Sequence, residues 1–154
     1  MITVRYDGTA VDPIVKSVTW SGDITQAFRR LSVTVSNTVD GKSRLFSFEN
    51  GKEITLENDG VEIFRGIIFD NSMNISGQTT ISAYDENVYL TKNEDTKKFA
   101  NLKASEIIRK LCVEFGIPVG EIADTGYVIP KLILRDKTLW EMMTTALTET
   151  RKQT

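Results

Sequence analysis

No histidine occurs among the 154 residues, and cysteine occurs once. The first absence removes Ser-His-Asp and Cys-His catalysis, histidine-containing zinc sites and the commonest general base together. The second excludes an intramolecular disulfide and a thiolate metal cluster within one chain, and it fits assembly in a reducing cytoplasm. Neither sign of charge dominates. Nineteen basic and 21 acidic side chains leave −2, whereas proteins that grip phosphates carry a basic excess or stripe, so no specific nucleic-acid binding is expected. Long hydrophobic runs are also missing. The most apolar, residues 61–69, is interrupted by Glu62 and Arg65 and falls far short of the roughly 20 residues a bilayer requires, so no membrane insertion is expected. The first residues lack the basic and apolar regions of a signal peptide. No phosphate-cradling glycine loop, internal repeat or sustained heptad occurs.

What is present is a theme of short β-branched or aromatic runs of period two, separated by Gly, Asn, Asp and Pro, over residues 2–84. Ile2, Val4 and Tyr6 share one face of a first strand. A second strand follows Pro13 with Val18 and Trp20 in alternation, and Leu31, Val33 and Val35 alternate again; the segment between them, residues 24–30, has no strong period and is left open between loop and helical turn. Phe46 and Phe48 mark a further strand. Residues 52–57 pair with 61–69 through Asn58, Asp59 and Gly60, a strong hairpin signal, and residues 79–84 close the set. Six or seven strands at this spacing point to a small antiparallel barrel or sandwich over residues 1–90, with the β-barrel favoured.

Residues 91–100 are dense in charge and read as a polar linker or exposed loop. Beyond them the period changes to 3.6. Ile107, Ile108, Leu111, Cys112 and Phe115 line one side of a helix from about residue 102, stopped by Gly116 and by Pro118, which disfavours helix at Ile117. Leu132, Ile133 and Leu134 read as a brief strand, and the Thr138 to Glu141 spacing matches a capping box opening a second helix with Trp140, Met143, Ala146 and Leu147 on its buried stripe. The fold class is therefore mainly β followed by an α/β part: a small barrel over 1–90, a linker over 91–100 and a partial helix-strand-helix domain over 101–154 that reads as cut short at its C-terminal end.

Candidate chemistry is sparse. Cys112 sits on the apolar helix face and reads as core rather than nucleophile. Asp70, Asp85 and Glu86 lie near strand ends, where a carboxylate pair could serve a glycosidase, but turn-forming or solvated roles outweigh that reading. Asn58, Asp59 and Gly60 lack the repeated acidic ligands of a calcium loop. No catalytic residue, metal site or cofactor is expected. Trp20 reads as a cap on the barrel core or an interface anchor, with core favoured, and Arg29 and Arg30 beside Phe28 read as ion-pair or interface residues.

The runs WSGD at 20–23, QAFRRLSVTV at 26–35, IFRGIIFD at 63–70, AYDENVYL at 83–90, ASEIIR at 104–109, FGIPVG at 115–120, KTLWE at 137–141 and KQT at 152–154 resemble, in this order, the XkdQ/YqbQ family of PBSX-type phage-like elements. The resemblance implies a baseplate hub subunit of a contractile tail, synthesised in the bacterial cytoplasm and built into the particle's tail. Such a hub is a homotrimer in the full-length protein, with two barrels per subunit making a pseudo-sixfold ring between a sixfold tail tube protein and a threefold spike. This chain would hold the first barrel, with Trp20, Gly22, Asp23, Arg29 and Arg30 as assembly or family-motif residues. A cell-wall or carbohydrate-binding module of a tail is the alternative expectation, and a tail-associated hydrolase the weaker one.

Overall fold

The computed structural model describes residues 1–40 and 43–154, which divide into two compact units, Met1–Val88 and Tyr89–Thr154. The alternation of the first unit builds seven strands: β1 (Ile2–Tyr6), β2 (Thr9–Ala10), β3 (Val15–Gly22), β4 (Arg29–Ser36), β5 (Glu53–Asn58), β6 (Val61–Met73) and β7 (Gln78–Tyr84). They form one antiparallel sheet in the order β2-β1-β5-β6-β7-β4-β3. The sheet curls into a half-barrel, and no ladder joins its edge strands β2 and β3 among the described residues. Its inner face carries Val4, Leu31, Val33, Val35, Ile54, Leu56, Phe64, Ile68 and Ile81, all buried. Each such side chain contributes about 1.5–3 kcal/mol by leaving water.

Two local devices fix the strands. Asp59 and Gly60 both have positive φ, 50° and 78°, the backbone that a two-residue turn needs to follow the twist of β5 and β6. Gly66 lies where β6 changes partner: its residues pair with β5 as far as Ile67, which also begins the ladder to β7. A Cβ at Gly66 would fall 2.6 Å from Phe64 Cζ and closer still to the Tyr84 carbonyl oxygen. Only glycine lets the strands and the Phe64 ring approach this closely.

The strand expected at Phe46 and Phe48 does not form. The buried side chain of Asn37 takes the place of a neighbouring strand: its Oδ1 accepts the Phe46 N–H and its Nδ2 donates to the Phe46 carbonyl, both at 2.8 Å. Phe46 and Phe48 then pack against Tyr6 at ring separations of 5.4 and 5.0 Å, and the Tyr6 hydroxyl accepts the Glu49 N–H at 3.0 Å. The segment left open between β3 and β4 is a turn, closed by the Gln26 N–H on the Asp23 carbonyl at 3.0 Å.

In the second unit β8 (Glu94–Lys103) and β9 (Val128–Thr138) form an antiparallel ribbon, with α1 (Ala104–Glu114) between them in sequence and α2 (Leu139–Gln153) after them. Residues 91–100, expected as a linker, thus hold most of β8. Its charges are compatible with a strand because they lie on the ribbon's exposed positions or, for Lys97, pair with Asp95 and Glu114 while the ammonium sits over the Phe115 ring. The run at Leu132 extends to an eleven-residue strand. Ile107, Leu111, Leu132, Leu134, Leu139, Met142 and Ala146 form a second core. Helix α1 ends as Gly116 adopts φ 67°, with the Ile117 N–H on the Cys112 carbonyl and the Gly116 N–H on that of Val113, a Schellman arrangement.

At α2 the Thr138 hydroxyl accepts the Glu141 N–H at 3.2 Å while Glu141 Oε2 accepts the Thr138 N–H at 2.8 Å. The Thr138 N–H first, and then the Thr138 side chain, hold the Glu141 carboxyl below its ordinary pKa. The buried stripe is Leu139, Met142, Met143, Ala146 and Thr150; Leu147, expected within it, faces solvent, and Trp140 is only half-buried. The stripe is rotated because Leu139, the first helical residue, already points into the core.

Urea unfolding should show Gly66→Ala to be destabilised by about 1–3 kcal/mol, the ordinary cost of overpacking a closed site. Thr138→Ala should lose about 0.5–2 kcal/mol, the usual value of an N-cap.

Candidate functional site

Antiparallel pairing of β3 with β4 aligns Trp20 with Leu31, Ser21 with Arg30 and Gly22 with Arg29. It thereby gathers Trp20, Gly22, Asp23, Arg29 and Arg30 at one end of the sheet. Asp23 opens the turn: its Oδ1 accepts the Thr25 N–H at 2.8 Å and the Thr25 hydroxyl at 2.7 Å, and the hydroxyl bond, then the backbone bond, lower its pKa. The Arg29 guanidinium lies over the Trp20 ring, 5.2 Å from its centroid. Gly22 makes room for the Arg29 stem, because a Cβ there would stand 3.0 Å from Arg29 Cγ. Trp20 does not cap the core. It is 43% exposed, since its strand is the sheet edge and its ring is held by arginine rather than by apolar neighbours.

Asp85 fixes the backbone of this end. Its Oδ2 accepts the Arg29 N–H at 3.1 Å, its Oδ1 accepts the Asn87 N–H at 3.2 Å, and its own N–H donates to the Arg29 carbonyl at 3.2 Å. Arg30 Nη2 donates to Ser82 Oγ at 3.3 Å. Phe28 meets Tyr84 edge-on at 5.3 Å, and Phe69 meets the same ring at 5.3 Å. Ile63, Phe64 and Arg65 line, together with Trp20 and Arg29, an open groove of about 820 Å³. Arg65 is clamped by Glu62 at 2.6 Å and Glu53 at 2.7 Å, which raises its pKa above the ordinary arginine value.

The groove's charged groups are thus largely engaged within the chain. Both oxygens of Asp85 serve backbone N–H groups, a turn-forming role. Among the described residues no group of three or more His, Cys, Asp or Glu side chains is arranged to hold a metal. Cys112 is buried, and burial pushes its thiol pKa up. The arrangement offers shape, aromatic surface and a stacked guanidinium, which suit contact with another macromolecule. Sequence reasoning missed the part of Asp85 in holding the Arg29 backbone and the packing of Phe28 on Tyr84. The β4–β7 ladder that places Tyr84 beside Arg30 joins residues more than 40 apart, and no local pattern announces it.

A family model described as YQBQ-like matches residues 18–154. The chain belongs to the YQBQ-like family. It is 37% identical to YqbQ of Bacillus subtilis (strain 168) over 142 residues, covering 92% of this chain and 43% of that protein. It is 35% identical to the phage-like element PBSX protein XkdQ of the same organism over 152 residues, covering 98% and 46%. The chain therefore spans less than half the length of these curated relatives. Among solved structures, the 43 kDa tail protein of prophage MuSo2 from Shewanella oneidensis superposes with a TM-score of 0.78 at 16% identity, over 97% of this chain and 49% of that one. The E. coli c3393 protein, a type VI secretion component described as structurally similar to the T4 tail proteins gp27 and gp5, superposes with a TM-score of 0.56 at 10% identity, over 87% and 43%. At these identities the two structures establish the fold of this family member.

Burial and the raised pKa of Cys112 predict that Ellman's reagent titrates it at pH 8 only after denaturation. Rapid stoichiometric reaction of the folded chain would contradict its place in the core.

Proposed function

We propose that the chain is a non-catalytic structural module of a phage-type contractile tail, the first barrel and adjoining α/β part of a baseplate hub. In this reading three full-length copies form a ring between the sixfold tail tube and the threefold spike. The observation that carries it is the pairing of two likenesses over nearly the whole chain: sequence to a PBSX protein, fold to a prophage tail protein. The likeness to a type VI component compared with gp27 and gp5 supports the hub position. The groove described above supports a contact role, since its polar groups are engaged in shaping it. A wall-binding module is less well supported, because the accessible Trp20 ring that a sugar would stack on is covered on one side by Arg29. Trp20, Gly22, Asp23, Arg29 and Arg30 are proposed as assembly residues at this end of the sheet.

Immunogold electron microscopy of induced particles, after mild disruption of the tail end, tests the placement. Antibody to this chain should label the junction of tube and spike. Label along the whole tail or confined to fibres would refute the hub, and retention of the purified chain on peptidoglycan would favour the wall-binding reading.

A further inference from the structure

The two units differ in charge. Met1–Val88 carries 12 acidic and 8 basic side chains, a net −4, whereas Tyr89–Thr154 carries 9 acidic and 11 basic, a net +2. Three of its cations share one surface, while Lys92, Arg109, Lys110 and Arg151 are exposed elsewhere. On β9, Leu132 and Leu134 point into the core while Lys131, Ile133 and Arg135 are exposed, as period two requires. Lys98 of β8 stands opposite Ile133, and Ala100 stands opposite Lys131. The ribbon thus presents Ile133, 46% exposed, among three cations.

Lys98, Lys131 and Arg135 have no ion-pair or side-chain hydrogen-bond partner among the described residues. Other cations of the same unit do: Lys97 with Asp95 and Glu114, Lys103 with Asp124, Lys137 with Glu141 and Lys152 with Glu149. The first unit shows the opposite imbalance. Its Arg5, Lys52 and Arg65 are paired with carboxylates, and Lys16, Arg29, Arg30 and Arg44 are not, while Asp12, Asp23, Asp70, Asp85 and Glu86 have no cation partner among the described residues, so the acidic excess is the unit's net charge.

We propose that the outward face of the β8–β9 ribbon, with Lys98, Lys131 and Arg135 around Ile133, docks on the acidic Met1–Val88 unit of a second copy of this chain. The inference rests on the trimeric hub reading and names a contact within it. An exposed aliphatic side chain ringed by charge has the apolar centre and polar rim of a protein contact, and no aromatic platform for bases accompanies the three cations. A basic unit meeting an acidic unit of the next copy is a head-to-tail contact, which closes into a ring when the rotation allows.

Analytical ultracentrifugation of the 154-residue chain tests this. Self-association in 50 mM salt should weaken at least about tenfold in 500 mM salt, because exposed charges are screened. It should disappear in Lys131→Glu/Arg135→Glu and persist in Lys131→Arg/Arg135→Lys, with circular dichroism confirming that both variants fold. A chain that stays monomeric to about 1 mM, the weak limit of measurable affinity, would overturn the proposal. So would association indifferent to salt and to charge reversal, or a duplex-DNA gel shift abolished by the reversal without any self-association. Charge-dependent association in a protein that immunogold does not place at the tail end would leave this contact standing and remove the hub reading instead.

Discussion

The curl of the first unit turns on one close approach. At Gly66 strand β6 leaves β5 and joins β7, and the space a side chain would need is taken by the Tyr84 carbonyl and the Phe64 ring. The rest follows through contacts. Tyr84, held there, receives Phe28 on one side and Phe69 on the other. Its neighbour Asp85 pins the Arg29 backbone, the ladder from β4 carries that position to β3, and Arg29 closes over Trp20. The groove at the sheet's end is therefore tied to how the interior is packed.

Much of this fold is legible in the sequence, and the legible parts are those decided locally. Leu31, Val33 and Val35 alternate because their strand has one buried face. Asp59 and Gly60 turn the chain because both accept positive φ. Gly116 ends α1, and Thr138 with Glu141 opens α2, by hydrogen bonds within six residues. The misreadings arise where a distant partner overrides the local signal. Phe46 and Phe48 alternate like a strand, but Asn37 supplies the hydrogen bonds a neighbouring strand would have made. The charges of residues 91–100 look like a linker, but a strand bonded on one edge tolerates charge on its outer face, and Lys97 finds its carboxylates on another element.

The candidate site was partly legible for the same reason. Trp20 to Asp23 and Arg29 to Arg30 stand at the two ends of one short connection, so antiparallel pairing brings them together. The residues that line the groove with them, Ile63 to Arg65, and the Asp85 clamp depend on the order of the whole sheet. The exposure of Trp20 could not be read either: β3 has the apolar and β-branched composition of a half-buried strand, yet none of its eight residues is buried, because it is the last strand of the sheet.

A scaffold built this way divides its polar groups into two kinds. Those of the groove are engaged within the chain, Arg65 with Glu62 and Glu53 and the two aspartates with hydrogen-bond donors, so they fix shape, although no cation among the described residues neutralises Asp23 or Asp85. Those of the β8–β9 ribbon face are not engaged, so they are available to an opposite charge. A single exposed ion pair contributes only about 0–1 kcal/mol, and three around one isoleucine make a weak contact. In a closed ring each copy is held by two such contacts at once, and after the first forms the second is intramolecular, with the gain in effective concentration that entails. In the proposed ring, weak charged faces suit a subunit that commits only when the ring closes.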